Sequence, residues 1–251
     1  MIFPICGKHA VFEALAADRP YRFERILMAQ SKGPADDQES RIMEMARRKK
    51  IQIQKTDFEY LDRWAPAASQ HQGVVLLLSE PPLPLSYQGL IHETKESQDL
   101  VLLALDQVQD HQNIGALTRT AICFGAAVIM APEDRSAPLI HPSVWRVAQG
   151  AAEHVRFAGV PNLARALDDL KDNDCWIVGA VAEGGQDPRV LDWPKKVCLV
   201  LGGEEKGLRR LTEEKCDFKV TLPHSRPGGL DSLNVSYAAS ILLWEIYRRR
   251  L

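Results

Sequence analysis

Between residues 100 and 222 the chain returns five times to an apolar, strand-like run: Leu100 to Leu105, Ala126 to Ala131, Cys175 to Ala180, Val197 to Leu201 and Phe218 to Leu222. A strand that covers a core with one face alternates apolar and polar positions, whereas a run that is apolar on both faces belongs to a buried parallel strand. Most of the intervening segments are long enough for helices, so the pattern predicts a layered α/β domain with a mostly parallel sheet. A last helix is predicted from about Leu233 to Arg249, with Ile241, Leu242, Trp244 and Ile246 as its apolar faces and Arg248, Arg249 and Arg250 at its C-terminal dipole end. None of the apolar runs approaches the roughly 20 residues needed to cross a bilayer, so no membrane span is expected.

The segment Glu80-Pro81-Pro82-Leu83-Pro84 forbids a continuing helix or central strand and reads as a linker. Before it lie helix-like stretches (7–17, 35–49), a strand-like one (25–29), the segments 51–54 and 57–64 and the apolar run 73–78, together a small alternating α/β unit. The expected division is residues 1–80, a linker over 81–97, and a second domain over 98–251. Five cysteines without a CxxC pair suggest neither a disulfide framework nor a zinc site and fit a reducing cytoplasm. The start, Met1 to Gly7, has no positive region followed by a long apolar one, so no secretion or organelle signal is expected. The net charge of -2 over 251 residues argues, taken alone, against a nucleic-acid partner. Dense basic clusters nevertheless occur at Arg47 to Lys50, Arg209-Arg210 and Arg248 to Arg250, each either a contact for an anion or a solvated helix end.

Three strand-to-loop junctions of the second domain concentrate polar residues and glycine, where ligand sites of α/β sheets form. The first runs from Leu105 to Thr120 and contains Asn113-Ile114-Gly115 and Arg119. Asn113 is a good N-cap, and Arg119 would lie near the small residues Gly115 and Ala116; taken alone, the segment is explained more simply by a cap and by an arginine paired with a carboxylate. The second is Leu201-Gly202-Gly203-Glu204-Glu205-Lys206-Gly207, which is neither Gly-x-Gly-x-x-Gly nor a P-loop; a plain tight turn is its alternative. The third runs from Leu222-Pro223 through a Pro- and Gly-rich loop, His224 to Asp231, into Ser232-Leu233-Asn234-Val235-Ser236, more polar than capping alone requires. There is no Gly-x-Ser-x-Gly elbow and no His-Glu-x-x-His, so triad hydrolases and metalloenzymes are disfavoured.

In this order and spacing the three segments resemble the motifs of the SpoU-type (SPOUT superfamily, TrmH-like) RNA 2′-O-ribose methyltransferases. Gly150-Ala151-Ala152-Glu153-His154-Val155 and Val160-Pro161-Asn162-Leu163 are similar to the family's connecting region. Gly7-Lys8-His9-Ala10-Val11 and His71-Gln72-Gly73-Val74 are similar to the substrate-binding extension of its large-subunit (23S) rRNA guanosine methyltransferases. The resemblance implies a parallel-sheet domain with a deep trefoil knot, which general topology rules would not suggest, beside a small N-terminal α/β substrate-binding domain. It also implies S-adenosylmethionine as methyl donor, no metal, and a cytoplasmic homodimer whose active sites use both subunits. By the same resemblance Arg119, Glu204, Ser232 and Asn234, with Asn113 beside them, occupy catalytic positions. Gly202, Leu222 and Leu233, with Ala180 and Leu201, occupy cofactor-binding positions.

Attack of a ribose 2′-hydroxyl on a sulfonium methyl needs alignment and the management of one poorly acidic proton. A guanidinium is a poor base, so Arg119 is expected to bind the target phosphate or stabilise a developing alkoxide. Glu204 and Asn234 would orient Arg119 and the ribose, and Ser232 would hydrogen-bond near the reacting hydroxyl. The expected partner is large-subunit rRNA, free or in a pre-ribosomal particle, gripped in part by the first domain through shape and phosphate. A tRNA guanosine 2′-O-methyltransferase and a non-catalytic RNA-binding ribosome-assembly module are the alternatives.

Overall fold

The structure, a computed structural model, describes residues 2–30, 35–65, 71–204, 206–223 and 233–251. Ser232 and the loop His224 to Asp231 lie outside the described residues. Contacts divide the chain into two units, residues 1–83 with 140–154, and residues 84–139 with 155–251.

In the first unit, β1 (Phe3–Cys6), α1 (Lys8–Ala16), β2 (Phe23–Ala29), α2 (Asp37–Arg48), β3 (Ile53–Thr56), α3 (Phe58–Asp62) and β4 (Val74–Leu78) follow in order. They form a mixed four-stranded sheet of order β1-β4-β2-β3, in which only β2 and β3 run parallel. Strand β4, buried at every position, is the central apolar run. The edge strand β1 contains Pro4, which a central position would not tolerate. The same unit includes α6 (Pro142–Ala148) and a short 3-10 turn (Ala151–Glu153). Trp145 is buried there with its ring edge-on to Phe3 at 5.3 Å. The buried Glu153 carboxylate accepts hydrogen bonds from Tyr21 Oη at 2.6 Å and Trp145 Nε1 at 2.8 Å, while Arg19 Nε donates to the Glu153 carbonyl at 3.0 Å.

In the second unit, α4 (Tyr87–Glu96), β5 (Leu100–Asp106), α5 (His111–Cys123), β6 (Ala126–Pro132), β7 (Arg156–Val160), α7 (Leu163–Lys171), β8 (Trp176–Ala180), β9 (Lys196–Gly202), α8 (Arg210–Glu213), β10 (Phe218–Val220) and α9 (Val235–Arg248) follow. The six strands pair in the order β10-β8-β9-β5-β6-β7, every pairing parallel. On one face Leu102, Ala104, Val128, Met130, Ile177 and Val200 pack against Leu90 of α4 and Leu163, Leu167 and Leu170 of α7. The alternate positions Val101, Leu103, Val197 and Leu199 are buried as well. Helices α5 and α9 pack on each other and against β6 and β9 respectively. The apolar-throughout strands are thus covered on both faces, as their composition demanded. No helix among the described residues is long and apolar enough to cross a membrane.

The last helix is shorter than its apolar pattern predicts because Asn234 caps it, accepting from Ser236 N at 2.9 Å. Only Leu242 and Ile246 of its four expected apolar positions are buried; Ile241 and Trp244 are exposed. The arginines at its end are spent locally. Arg248 and Arg249 pair with Glu245, and Arg250 pairs with Asp99.

Candidate active site

The site forms where β5 and β9, neighbours in the sheet, release their loops at the same edge. Asp106 ends β5 fully buried, and its backbone carbonyl accepts from Gly203 N at 2.9 Å. Its carboxylate accepts from Arg209 N at 2.9 Å and Arg209 Nε at 2.6 Å. One buried acid therefore pins both limbs of the turn between Gly203 and Arg209. The turn closes on itself through a Gly207 N to Gly203 O bond of 2.9 Å, with Gly207 at φ 62°. At Gly202 a Cβ would fall 2.2 Å from the Gly207 carbonyl carbon, so only glycine allows the two backbones to meet.

Helix α5 starts one turn earlier than the polar pattern suggests. Asp110, not Asn113, is its N-cap, accepting from Gln112 N at 2.8 Å. Asn113 is thereby carried into the first turn and buried, with its amide free for tertiary contacts. Asn113 Nδ2 donates to Glu204 Oε1 at 2.8 Å. Asn234 Nδ2 donates to the same oxygen at 2.6 Å and approaches Asn113 Oδ1 at 3.0 Å. Thr120 and Ser240 hydroxyls, 3.1 Å apart, tie α5 to α9 two turns further along. The three polar segments thus converge on one carboxylate oxygen; Glu204 Oε2 accepts nothing among the described residues.

Arg119 is exposed on α5 and makes no hydrogen bond or ion pair among the described residues, so the chain does not bring its guanidinium to Glu204 or Asn234. Of the residues expected at the cofactor, Ala180 ends β8, Leu201 and Gly202 end β9, and Leu222 lies two residues beyond β10. These strands are neighbours, with Ala180 in register with Val220 and Gly179 with Val200, so the three ends share one sheet edge. Leu233, exposed, directly precedes Asn234. A cavity of about 350 Å³ is bounded by Gln107, Val108, Gln109 and Asp110 of the β5–α5 loop, Asn113 of α5, and Gly203, Glu204 and Lys206 of the turn after β9.

Burial pushes the thiols of buried Cys175 and partly buried Cys216 up to about 12 and that of Cys198 well above its ordinary value, which disfavours the nucleophilic thiolate. Sequence reasoning singled out neither Asp106 as a structural acid nor Arg209 as its partner. The signal was an ionisable residue directly after six apolar strand positions, where burial is tolerated only with a partner. Arg209 and Arg210 are committed to Asp106 and Glu214. In the first unit Arg48 pairs with Glu44 and Lys49 lies over the Phe23 ring, while Arg47 and Lys50 have no ion pair among the described residues.

Residues 100–244 match the SpoU rRNA methylase family, and residues 4–84 match the RNA 2′-O ribose methyltransferase substrate-binding family. The chain is 39% identical over 98% of its length to the 23S rRNA (guanosine-2′-O-)-methyltransferase RlmB of Pseudomonas aeruginosa, covering 96% of that protein. It is 36% identical to the putative TrmH family tRNA/rRNA methyltransferase YacO of Bacillus subtilis, over 98% of this chain and 95% of the relative. Its fold is similar to that of the SpoU methyltransferase AviRb from Streptomyces viridochromogenes, solved in complex with AdoMet, with a TM-score of 0.80 at 21% identity over 99% of this chain and 90% of the other.

Proposed function

The chain belongs to the SpoU rRNA methylase family, and from that membership we propose that it transfers the methyl group of S-adenosylmethionine to a ribose 2′-hydroxyl of large-subunit rRNA, at a guanosine. The observation that carries the reading is the meeting of Asn113, Glu204 and Asn234 at one oxygen beside a cavity, with an exposed, uncommitted arginine on the same helix as Asn113.

The residues present fit the donor. Backbone at the strand ends, at Leu201, Gly202 and Leu222, with Ala180 and Leu233, would hold it, and the bare Gly202 lets the Gly207 backbone close the turn against the end of β9. Bound S-adenosylmethionine supplies an electrophilic methyl on a sulfonium. The Asn113 and Asn234 amides fix Glu204 Oε1, which leaves Oε2 to accept from a ribose hydroxyl and orient it. A guanidinium is a poor base, which supports for the exposed Arg119 a charge role toward the target phosphate or a developing alkoxide rather than a base role. Ser232 is assigned to the reacting hydroxyl by resemblance alone, as is the trefoil knot.

We assign RNA binding to residues 1–80 and transfer to 98–251; of the expected linker 81–97, α4 packs into the second unit's core through Leu90. The uncommitted Arg47 and Lys50 support that role for the first unit. Tyr237, Ile241 and Trp244, spaced along one stripe of α9, and Leu233 just before its cap are all exposed large apolar side chains. Such a stripe is characteristic of an interface, which supports a homodimer in which Arg119 of one subunit completes the other's site. Sedimentation of Ile241→Arg as a monomer would support it; an unchanged dimer would count against it. The test of function is ribose-methylation mapping in rRNA and tRNA from cells with and without the protein. Loss of one guanosine methyl in large-subunit rRNA supports the reading; loss confined to tRNA, or no loss, contradicts it.

A further inference from the structure

The cavity beside Glu204 carries more hydrogen-bonding capacity than the three-residue network uses. Asp110 spends Oδ1 on the α5 cap, while Oδ2 accepts nothing among the described residues. Among the described residues the Gln107 side chain neither donates nor accepts, and Lys206 forms no ion pair. Gln109, by contrast, donates Nε2 to the Arg135 carbonyl at 2.6 Å. Gln107 is also held at φ 65°, and its carbonyl stands where a Cβ on Gly203 would be only 2.6 Å away. A non-glycine residue in the left-handed region costs free energy and persists where its surroundings over-determine it, commonly at binding sites. The volume of about 350 Å³ falls at the lower end of the roughly 300 to 1,000 Å³ usual for small-ligand sites, enough for one nucleoside.

We propose that this cavity receives the target nucleobase and selects guanine, with Asp110 Oδ2 accepting from the base edge and Gln107 and Lys206 donating to its carbonyl oxygen. This assignment rests on the reading of the chain as an RNA guanosine methyltransferase. Guanine presents two adjacent donors, N1–H and N2–H, beside the O6 acceptor, which complements a carboxylate flanked by an amide and an ammonium. Adenine offers N1 as an acceptor at the place where guanine has a donor, so it would set a lone pair against the carboxylate. Uracil and cytosine each lack the paired donors.

The discriminating variant is Asp110→Asn, because asparagine caps a helix as well as aspartate does while replacing one acceptor with a donor that suits adenine. Full-length protein is assayed for methyl transfer to transcribed rRNA fragments carrying guanosine or adenosine at the mapped target, with S-adenosylmethionine affinity measured by calorimetry. The wild type should prefer guanosine. Asp110→Asn should lose at least about tenfold in kcat/KM on the guanosine RNA, and the guanosine-to-adenosine ratio should fall by a similar factor, with donor affinity unchanged. Gln107→Asn, which keeps a side chain that tolerates positive φ, should lower guanosine transfer more than adenosine transfer. Equal losses on both RNAs, or none, overturn the nucleobase assignment. A wild type that binds no S-adenosylmethionine overturns instead the methyltransferase reading on which it rests.

Discussion

The side-chain amide of Asn234 donates to Glu204 Oε1 at 2.6 Å, which joins the cap of the last helix to the glycine turn after β9. The bond has one direction, because a carboxylate can only accept, and it fixes the orientation of the Asn234 amide so that Oδ1 turns to the Ser236 N–H. Asn234→Asp keeps that cap and removes the donor, setting a second carboxylate against the first. Like charges at such a distance raise the pKa of one member of the pair, and the shared proton restores the missing hydrogen bond. The activity of the variant relative to wild type should therefore rise as pH is lowered from about 8 to about 6, as a pH–rate profile would read; a parallel profile would show that the bond does not matter.

Arg119→Lys keeps the charge and loses the planar fork. Since Arg119 has no partner among the described residues, Tm should move by no more than about 2 °C. Transfer should fall on the order of 100-fold if the guanidinium meets a phosphate or an alkoxide in two-pronged fashion. Steady-state kinetics beside a thermal melt separates the two, and activity near wild type would remove the bidentate role.

Asp106→Ala strips the acid that holds both limbs of the glycine turn and leaves Arg209 half-buried without its partner. Breaking such a pair costs about 3 to 5 kcal/mol. Leu167→Ala, in the core against the opposite face of the sheet, costs a comparable 2 to 5 kcal/mol or so. With both variants held at a temperature where they are folded, calorimetry should find weakened S-adenosylmethionine binding for Asp106→Ala only. Equal affinities would mean that the ion pair serves stability alone.

In the first unit, burial pushes the Glu153 carboxyl above its ordinary 4.5, against the opposing hydrogen bonds from Tyr21 and Trp145 and the nearby Arg19. A carboxyl with a raised folded pKa holds its proton longer in the native state. Its stability contribution is present below the unfolded pKa and is lost as pH rises from 4.5 through the folded value. Glu153→Gln cannot titrate, so its stability should decline less than that of wild type over that window, as chemical denaturation at a series of pH values would show. Identical slopes would place the titration elsewhere.

The sheet of the second unit was legible because strands buried on both faces must be apolar throughout, and β5, β6, β8 and β9 obey that rule. Strand β7, Arg156–Val160, lies at the sheet edge with an exposed arginine and a glycine, and β1 carries a proline, so neither announced itself. The packing of residues 140–154 with the N-terminal unit left no local trace either. It depends on Trp145 and Glu153 finding Phe3, Tyr21 and Arg19, contacts more than a hundred residues apart for which no periodicity exists. At the site, the identities of Asn113, Glu204 and Asn234 could be read from motif order, but not their convergence on one oxygen. Asn113 looked like a cap, and only the capture of that task by Asp110 released it. Asp106 was passed over because a single acid at a strand end gives no hint of an arginine 103 residues away.

The most direct measurement incubates purified protein with S-adenosylmethionine labelled in its methyl group and with 23S rRNA from cells lacking the protein, then digests the RNA to nucleosides. Label recovered in 2′-O-methylguanosine, and lost with Arg119→Ala, is the expected result. Label on a base, label in a different 2′-O-methylnucleoside, or no transfer to the RNA would contradict ribose methylation of an rRNA guanosine by this chain.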